Sequence, residues 1–416
     1  MEKASEEEER CGRLALALAA CTLLAVLLHA ALKVALDGVR RRRARASLLV
    51  VGAGPVGLAA ALVAVRSGKV LKLTLLDARC RAALLGRPQQ IALDARSLGF
   101  LRALGVDFDN LEGCWRGARF YTKIGVFQEH LLSVLEQSRR QLELDIRLGT
   151  KFTDDFVRKI AASEWPKIIV VADGSCGESS SVLGISSDYL VESCNAYGAN
   201  AALERPDQRQ VPTPEIQAHN LYFDLSAYGV DISSSGKESL GLQQAATRPG
   251  FHLKIYGTFR NRYMALACPA SDSKVVRFLR HTLNSSIMKN IFHQSFNAYK
   301  TDIEPRMNDL TRHHLQCSRR LFEIMLSHRK VTAAFIEGDN VVVTIEGEAA
   351  RMLNFDTGCG VNFGLRGLES SEEFIYRIAT AVDQNDIFEA LSAKIRHSKQ
   401  VAEDFRQNGI FATVFE

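Results

Sequence analysis

The chain has 416 residues, a formal net charge of +5, 47% apolar residues and 24% charged residues. This length allows two or three domains, and the modest charge, much of it in one arginine cluster, does not favour a nucleic-acid partner. The nine cysteines form no C-x-x-C pair, so neither a metal site nor a disulfide framework is expected and the thiols are expected to be reduced.

The first element predicted along the chain is a membrane anchor. Residues 1–10 are acidic, residues 14–28 are uncharged and rich in Leu and Ala, and the apolar pattern continues to residue 36. This length is close to the ~20 residues that cross a bilayer. The arginines at 40–43 follow, and the positive-inside rule places them in the cytosol. The hypothesis is a single-pass membrane protein whose catalytic domain faces the cytosol, with a surface helix as the alternative.

The next element is a glycine-rich turn between a strand and a helix. Residues 48–51 predict a buried strand, Gly52-Ala-Gly54-Pro-Val-Gly57 follows, and an Ala-rich helix continues to about residue 67. In this context Gly52 allows a tight turn, Gly54 lets the backbone approach a pyrophosphate, and Gly57 lets helix and strand pack closely. The second strand, 71–76, ends in Asp77, where an acidic residue is expected to bind a ribose hydroxyl. A glycine-rich turn of an unrelated α/β protein is the alternative.

Further α/β elements follow this turn. Residues 79–86 predict a loop, residues 95–104 and 127–142 predict helices, and residues 144–148 predict a strand. Arg87 is expected to be either a phosphate contact or a solvated surface arginine. Asp173-Gly174 follows the carboxyl end of the predicted strand at 167–172. Doubly wound folds bind ligands at this end of their strands.

The pattern changes between residues 187 and 331. Alternating residues predict strands at 221–225, 252–257 and 262–268, and helices are predicted at 274–292 and 307–327. These elements indicate an inserted antiparallel sheet with helices. A buried strand returns at 340–345, followed by a second glycine-rich turn, Gly358-Cys-Gly360, and by helices at 371–382 and 386–405. The backbone N–H groups of this turn could hold a ligand oxygen.

Taken in order, four motifs are recognisable together. The glycines at 52, 54 and 57, then Ala172-Asp173-Gly174, Glu346-Gly347-Glu348-Ala349-Ala350 and Gly358-x-Gly360-x-Asn362, resemble the FAD-dependent monooxygenases of the para-hydroxybenzoate hydroxylase class over most of residues 47–405. The segments around 87 and 127 look closest to the MICAL-type branch.

The resemblance implies an α/β fold built from discontinuous parts. A Rossmann-like FAD-binding domain would combine residues 47–186 and 332–416. An inserted antiparallel β-sheet and helical substrate domain would span 187–331. Independently of the resemblance, the apolar run predicts that residues 1–46 form an acidic tail, an N-terminal transmembrane helix and a basic flank.

Carried over by position, the resemblance implies a set of FAD-binding residues and assigns no catalytic residue. They are Gly52, Ala53, Gly54, Pro55, Val56 and Gly57 at the pyrophosphate; Asp77, Ala78 and Arg79 at the adenosine ribose; Arg87 and Gln128 near phosphate or ribityl groups; Asp173 and Gly174 in a motif associated with FAD and NADPH; Glu348 toward the ribityl chain; and Gly360, Val361 and Asn362 toward the flavin pyrimidine.

The function implied is a membrane-anchored FAD-dependent oxidoreductase, a monooxygenase that uses NADPH or NADH on a small-molecule substrate that is lipophilic or membrane-proximal. A flavin reductase or oxidase of the same fold is one alternative. The other is a non-catalytic FAD-fold binding or scaffold protein, because Glu348 and Arg351 replace the aspartate and histidine usual in the third motif. Cys359 is expected to be a small filler residue rather than a group that reacts with the flavin.

Overall fold

The computed structural model describes residues 43–161, 164–229, 250–269 and 274–415, together with separate positions between residues 22 and 39. Part of the predicted anchor (14–21), the acidic segment 1–10 and the arginines at 40–42 lie outside the described residues. Within the described part of the chain, no helix is both long enough and apolar enough to cross a membrane.

The predicted transmembrane helix is therefore wrong, and the predicted location as a single-pass membrane protein facing the cytosol is corrected with it. The uninterrupted apolar run, 14–28, has 15 residues before His29 and Lys33 interrupt the pattern. That run is shorter than the ~20 residues that a bilayer crossing requires.

A mixed sheet of six strands forms the first layer. The spatial order is β14 (Ala333–Ile336), β15 (Val341–Ile345), β7 (Ile168–Val171), β1 (Ala46–Val51), β2 (Val70–Asp77) and β6 (Glu143–Leu148). All neighbours pair in parallel except β14, which pairs antiparallel with β15 at the edge. The strands come from both halves of the chain, as a discontinuous α/β domain requires.

The central strands are apolar on both faces because both faces of the sheet are covered. Leu48 and Val50 pack in one core with the first helix, whereas Leu49 and Val51 pack on the other face with Phe152. Buried parallel strands have this near-continuous apolar sequence, in contrast to alternating edge strands.

The strand register aligns several carboxyl ends at one edge of the first sheet. Val51 lies opposite Leu76 of β2 and Val171 of β7, and Val171 lies opposite Ile345 of β15. The segments that follow these strands therefore emerge side by side, which is where open α/β sheets bind ligands.

Helices connect the strands and pack on the sheets. Their bounds are α1 (Pro55–Arg66), α2 (Arg81–Leu85), α3 (Ala95–Ala103), α4 (Ile124–Gln137), α5 (Asp154–Lys159), α6 (Ser179–Val182), α7 (Lys274–Thr282), α8 (Ser285–Tyr299), α9 (Asp309–His313), α10 (Gly360–Leu368), α11 (Ser371–Thr380) and α12 (Gln384–Ile410). A small sheet of β3 (Gln90–Leu93), β5 (Arg119–Lys123) and β4 (Cys114–Arg116) lies beside them.

The remaining strands form a second, antiparallel sheet. Its order is β16 (Arg351–Leu353), β13 (Phe322–Arg329), β8 (Tyr189–Glu204), β11 (Asn261–Cys268), β10 (Phe251–Gly257) and β9 (Ile216–Leu221), with β12 (Gln316–Cys317) also paired to β8. The apolar sides of α7 and α8 cover one face of this sheet. On the other face, Tyr256 and Ala267 pack against Phe355.

The predicted helix at 307–327 is wrong. Only residues Asp309–His313 are helical, and Phe322–Arg329 is the strand β13, hydrogen-bonded between β8 and β16. Pairing on both sides stabilises this segment as a strand, a tertiary effect that the spacing of its apolar residues does not reveal.

Candidate cofactor cleft

A cleft of about 460 Å³ opens at the carboxyl edge of the first sheet. The segments that line it include the turns after β1, β2, β7 and β15, residues 87–91, residues 353–358 and the start of α10. Ten of the residues carried over from the resemblance line this cleft, namely Gly54, Pro55, Val56, Arg79, Arg87, Asp173, Gly174, Glu348, Gly360 and Val361.

Three glycines shape the N-terminus of α1, which we call the mouth of α1. A Cβ built on Gly57 would lie 1.8 Å from the carbonyl oxygen of Gly52, and one on Gly52 (φ +106°) would lie 2.3 Å from the carbonyl oxygen of Ala172. Gly54 is the N-cap of α1, and no atom lies within 4 Å of the place where its Cβ would be. Two glycines thus allow close backbone packing, and the third leaves the free N–H groups of the first helical turn facing the cleft.

Asp77 lies behind this mouth, in contact with protein groups. Its carboxylate is 5% exposed and accepts hydrogen bonds from the N–H of Ala53 (2.7 Å) and from Nε (2.9 Å) and Nη2 (2.8 Å) of Arg79. Burial opposes ionisation, but the hydrogen bonds from Arg79 and Ala53 lower the pKa of Asp77. Arg79, rather than Asp77, presents its side chain to the cleft.

Two further residues of the predicted set support the loop from outside the cleft. Gln128 is fully buried and donates from Nε2 to the carbonyl oxygen of Ala53 (2.9 Å). Ala53 is also fully buried, whereas Ala78 is exposed. Gln128 therefore holds the glycine turn in place from behind, while its Oε1 has no hydrogen-bond partner among the described residues.

Arg87 lines the cleft as an uncompensated cation. It forms no hydrogen bond or ion pair with any described residue, although Glu348, Asp356 and Asp77 are near enough to interact electrostatically. Partial burial, followed by repulsion from Arg79, lowers the pKa of Arg87. A half-buried guanidinium without a partner is a favourable place for an anionic group.

The turn after β15, residues 346–350, which we call the late glycine turn, lies against the mouth of α1. A Cβ built on Gly347 (φ +64°) would lie 3.2 Å from Cβ of Val56, and one on Gly364 would lie 2.5 Å from Cγ2 of Val56. Only glycine at both positions lets Val56 pack this closely. The first and third motifs, almost 300 residues apart in the sequence, therefore share one wall of the cleft.

Asn362 and Asp173 hydrogen-bond to the protein backbone. Asn362 is 5% exposed, donates to the carbonyl oxygens of Ala92 (2.9 Å) and Cys359 (3.1 Å), and accepts from the N–H of Asp94 (3.1 Å). Its amide thus fixes the start of α10, and Asn362 does not line the cleft. Asp173 lines the cleft and accepts from the N–H of Ser179 (3.1 Å).

Buried charges support the late turn from behind. Glu346 is 1% exposed and pairs with Nζ of Lys394 (2.6 Å) and Nη2 of Arg351 (3.3 Å), while Nη1 of Arg351 donates to Oγ of Ser398 (2.9 Å). Burial lowers the pKa of Lys394, and Glu346 opposes that shift. Arg351, which replaces the usual histidine, is thus part of a paired network.

Sequence reasoning missed this network. Lys394 and Ser398 lie in the middle of an amphipathic helix, where no motif marks them. A polar residue on the buried face of α12 is the signal that could have identified them.

Cys359 lies outside the lining of the cleft. The thiol is 4% exposed, and Nζ of Lys254 lies 3.8 Å from its sulfur. Burial raises the pKa of the thiol, and the nearby Lys254 opposes the shift. The position fits the expected filler residue.

Replacing Glu348 by glutamine should stabilise the protein at neutral pH. Glu348 is exposed at the cleft; desolvation by the surrounding cleft walls, and then Asp356, raise its pKa, while Arg87 opposes the shift. A raised folded-state pKa contributes stability below the unfolded pKa and loses it as pH rises through the folded pKa. At pH 7 the ionised carboxylate is therefore unfavourable. We expect Glu348→Gln to raise Tm by about 1–3 °C, a small effect because solvent in the cleft screens the charges.

The matched control is Glu164→Gln, which removes an exposed carboxylate elsewhere on the surface. Differential scanning fluorimetry between pH 4 and pH 8 measures both variants. A Tm of Glu348→Gln that is equal to or lower than the wild-type value at pH 7 would contradict this description of the carboxylate.

Comparison with solved structures shows which known proteins share this fold. No protein-family model matches the chain, and no curated protein matches its sequence. A solved point variant of MHPCO is 13% identical, with a TM-score of 0.50 over 89% of this chain and 93% of that one. The tetrameric form of this 2-methyl-3-hydroxypyridine-5-carboxylic acid oxygenase gives 13% identity and a TM-score of 0.49 over 89% and 93%. A Klebsiella pneumoniae HpxO variant complexed with FAD gives 12% and 0.47 over 89% and 91%.

At such low identity the likeness to the MHPCO variant shows the fold alone. The resemblance to FAD-dependent monooxygenases of the para-hydroxybenzoate hydroxylase class is confirmed at the level of the fold. The nearer likeness to the MICAL-type branch is not shown.

Proposed function

We propose that the cleft binds FAD and that the protein is an oxidoreductase of the monooxygenase type, reduced by NADPH or NADH and acting on a small-molecule substrate. The observation that carries this proposal is the convergence of two glycine turns on one cleft, since Val56 at the start of α1 packs against Gly347 of the late turn. A dinucleotide that contains both a pyrophosphate and a flavin requires contacts at both turns.

The chemistry of the cleft fits a dianionic pyrophosphate. Gly54 leaves open space next to the first N–H groups of α1, whose dipole favours negative charge. Arg79 and Arg87 supply cations on the same cleft. Because Arg87 has no partner among the described residues, an anion can bind it without breaking an existing ion pair.

The remaining lining residues would orient and cover the flavin end. A bound FAD would supply the redox chemistry here, that is, hydride acceptance from a nicotinamide and, once reduced, reaction with dioxygen. The positive end of the α10 dipole, at Gly360 and Val361, would favour an electron-rich ring edge. The carboxylate of Glu348 would accept hydrogen bonds from hydroxyl groups. Phe355, which is 3% exposed and also lines the cleft, packs against the second sheet and excludes water from that side.

A second candidate is an FAD-binding protein without turnover. The observation that favours it is the amide of Asn362, whose two N–H groups both donate to backbone carbonyl oxygens and whose oxygen already accepts from the N–H of Asp94, so it has no N–H left for a flavin ring edge. Glu348, which replaces the aspartate usual in the third motif of the family, also favours this second candidate.

Anaerobic addition of NADPH or NADH to the FAD-loaded protein tests the proposal. An oxidoreductase should lose its flavin absorbance on addition of the nucleotide and regain it, with oxygen consumption, when air is admitted. Flavin that stays oxidised with both nucleotides would contradict the enzyme and favour the non-catalytic alternative. Protein that binds no FAD would contradict both candidates.

A further inference from the structure

A second cleft, of about 390 Å³, lies where the end of β13 meets α12. The strand side contributes Arg329, Lys330 and Arg351, and the helix side contributes Lys399, Glu403 and Arg406. These residues come from segments that are up to about 80 positions apart in the sequence. The first cleft and the second cleft share Arg351 as a lining residue.

The second cleft is positively charged. Five lining residues are Arg or Lys, and two, Glu192 and Glu403, are carboxylates. Arg406 pairs with Glu403 (2.5 Å) and Arg351 pairs with Glu346, so these two cations are compensated. The other three, Arg329, Lys330 and Lys399, have no carboxylate partner among the residues that the structure describes.

The guanidinium of Arg329 is buried in the second cleft without a carboxylate partner in the described part of the chain. The residue is 6% exposed, and all of its partners are neutral oxygens: Oη of Tyr189 (3.1 Å), the carbonyl oxygens of Ala349 (2.9 Å) and Ser186 (2.6 Å), and Oγ of Ser180 (2.7 Å). These bonds hold a buried guanidinium in place without neutralising it. Its field therefore acts on whatever occupies the adjacent space.

Arg351 supplies an unused donor. It is 4% exposed and lines the second cleft, and its Nε has no hydrogen-bond partner in the described protein. Nδ1 of His328, another lining residue, is also buried without a partner. Buried polar atoms are almost always hydrogen-bonded in native proteins, so the unused N–H of Arg351 beside a cationic cleft is a donor for a ligand with oxygen acceptors, whereas Nδ1 of His328 donates or accepts according to its tautomer.

We propose that the second cleft binds the phosphate group of a small molecule. A phosphate offers several acceptor oxygens and up to two negative charges, which matches one unused buried donor and three uncompensated cations. Lys330 and Lys399 are exposed on opposite sides of the cleft, and such flexible point charges bind phosphate without a fixed geometry. The proposal is independent of the proposed function, because phosphate binding can be measured in flavin-free protein.

The test uses isothermal titration calorimetry of the full chain with inorganic phosphate, at an ionic strength held constant with potassium chloride. We expect saturable binding that weakens at least fivefold in Lys330→Glu and in Lys399→Glu, and further when both are changed. Both side chains are exposed, so the variants should fold, and circular dichroism checks this. The matched control is Lys159→Glu, an exposed lysine on α5.

Phosphate could also bind at the mouth of α1, and Gly54→Asp distinguishes the two clefts. If the proposal is correct, phosphate affinity persists in Gly54→Asp and in Lys159→Glu but falls in the two lysine variants. Phosphate affinity that is unchanged in the folded Lys330→Glu/Lys399→Glu protein would overturn the proposal, and so would the absence of saturable binding to the wild type.

A free phosphate ester and the 2′-phosphate of a dinucleotide present the same chemical group. Titration with NADP⁺ and NAD⁺ separates these sources. A preference for NADP⁺ that is lost in the two lysine variants assigns the 2′-phosphate, whereas equal affinities assign a separate phosphate ester.

Discussion

Gly54→Asp should abolish FAD retention while leaving the protein folded. Apart from its chain neighbours and the backbone of α1, no described atom lies within 4 Å of the place where a Cβ on Gly54 would be, so a side chain can be added there without a clash at its Cβ. Aspartate is also a favourable N-cap residue and accepts the free N–H groups of the first helical turn. Its carboxylate then occupies the position of the pyrophosphate and repels it. We expect FAD affinity to fall by on the order of 100-fold or more, the equivalent of losing two charge-assisted hydrogen bonds.

Flavin content after gel filtration, read as absorbance per protein, measures this loss. Gly99→Asp is the matched control, because Gly99 is exposed on α3 with no atom within 4 Å of its Cβ position and lies outside the cleft. Full FAD retention in Gly54→Asp would show that the cofactor does not approach the mouth of α1.

Gly57→Ala should destabilise the fold strongly. Its Cβ would lie 1.8 Å from the carbonyl oxygen of Gly52, a contact that side-chain rotation cannot relieve because both groups belong to the backbone framework. The loop or α1 must shift, and α1 is packed between the first sheet and α4. We expect a loss of about 3 kcal/mol in the free energy of unfolding, the upper end of the cost of overpacking a core.

Urea unfolding followed by circular dichroism measures this effect, with Gly54→Ala as the matched control. The same added methyl group at residue 54 meets open space and should change stability little. A Gly57→Ala midpoint equal to that of Gly54→Ala would mean that the turn is looser than the structure indicates.

The contrast between these glycines also shows how far the sequence predicts the site. The strand, the turn and the helix at 48–67 carry their own local signals, so their positions and the close packing at Gly52 and Gly57 could be inferred before the structure. The resemblance implied that Glu348, after residue 345, would bind the same cofactor as Gly54, and in the structure Val56 packs against Gly347 of that turn.

Side-chain partners were less predictable. Spacing identified Asp77, but not that Arg79 would take both of its oxygens. Asn362 fits the family pattern, yet its amide bonds to Ala92 and Asp94, nearly 270 residues away. Such partners depend on tertiary contacts that no local pattern encodes.

Two other features escaped prediction for physical reasons. The apolar residues at 14–28 resemble an anchor in composition, but the run is short and no described helix spans a membrane. The second cleft joins Lys330, Arg351 and Lys399 from separate elements. Each of these residues alone is typical of a solvated surface or a core ion pair.

Titration of flavin-free protein with FAD, followed by the change in flavin fluorescence and compared with FMN, tests the central claim most directly. If a pyrophosphate binds at the mouth of α1, FAD should saturate one site per chain and FMN, which lacks the pyrophosphate and the adenosine, should bind on the order of 100-fold more weakly. Equal affinities for FAD and FMN, or no saturable binding of FAD, would contradict it.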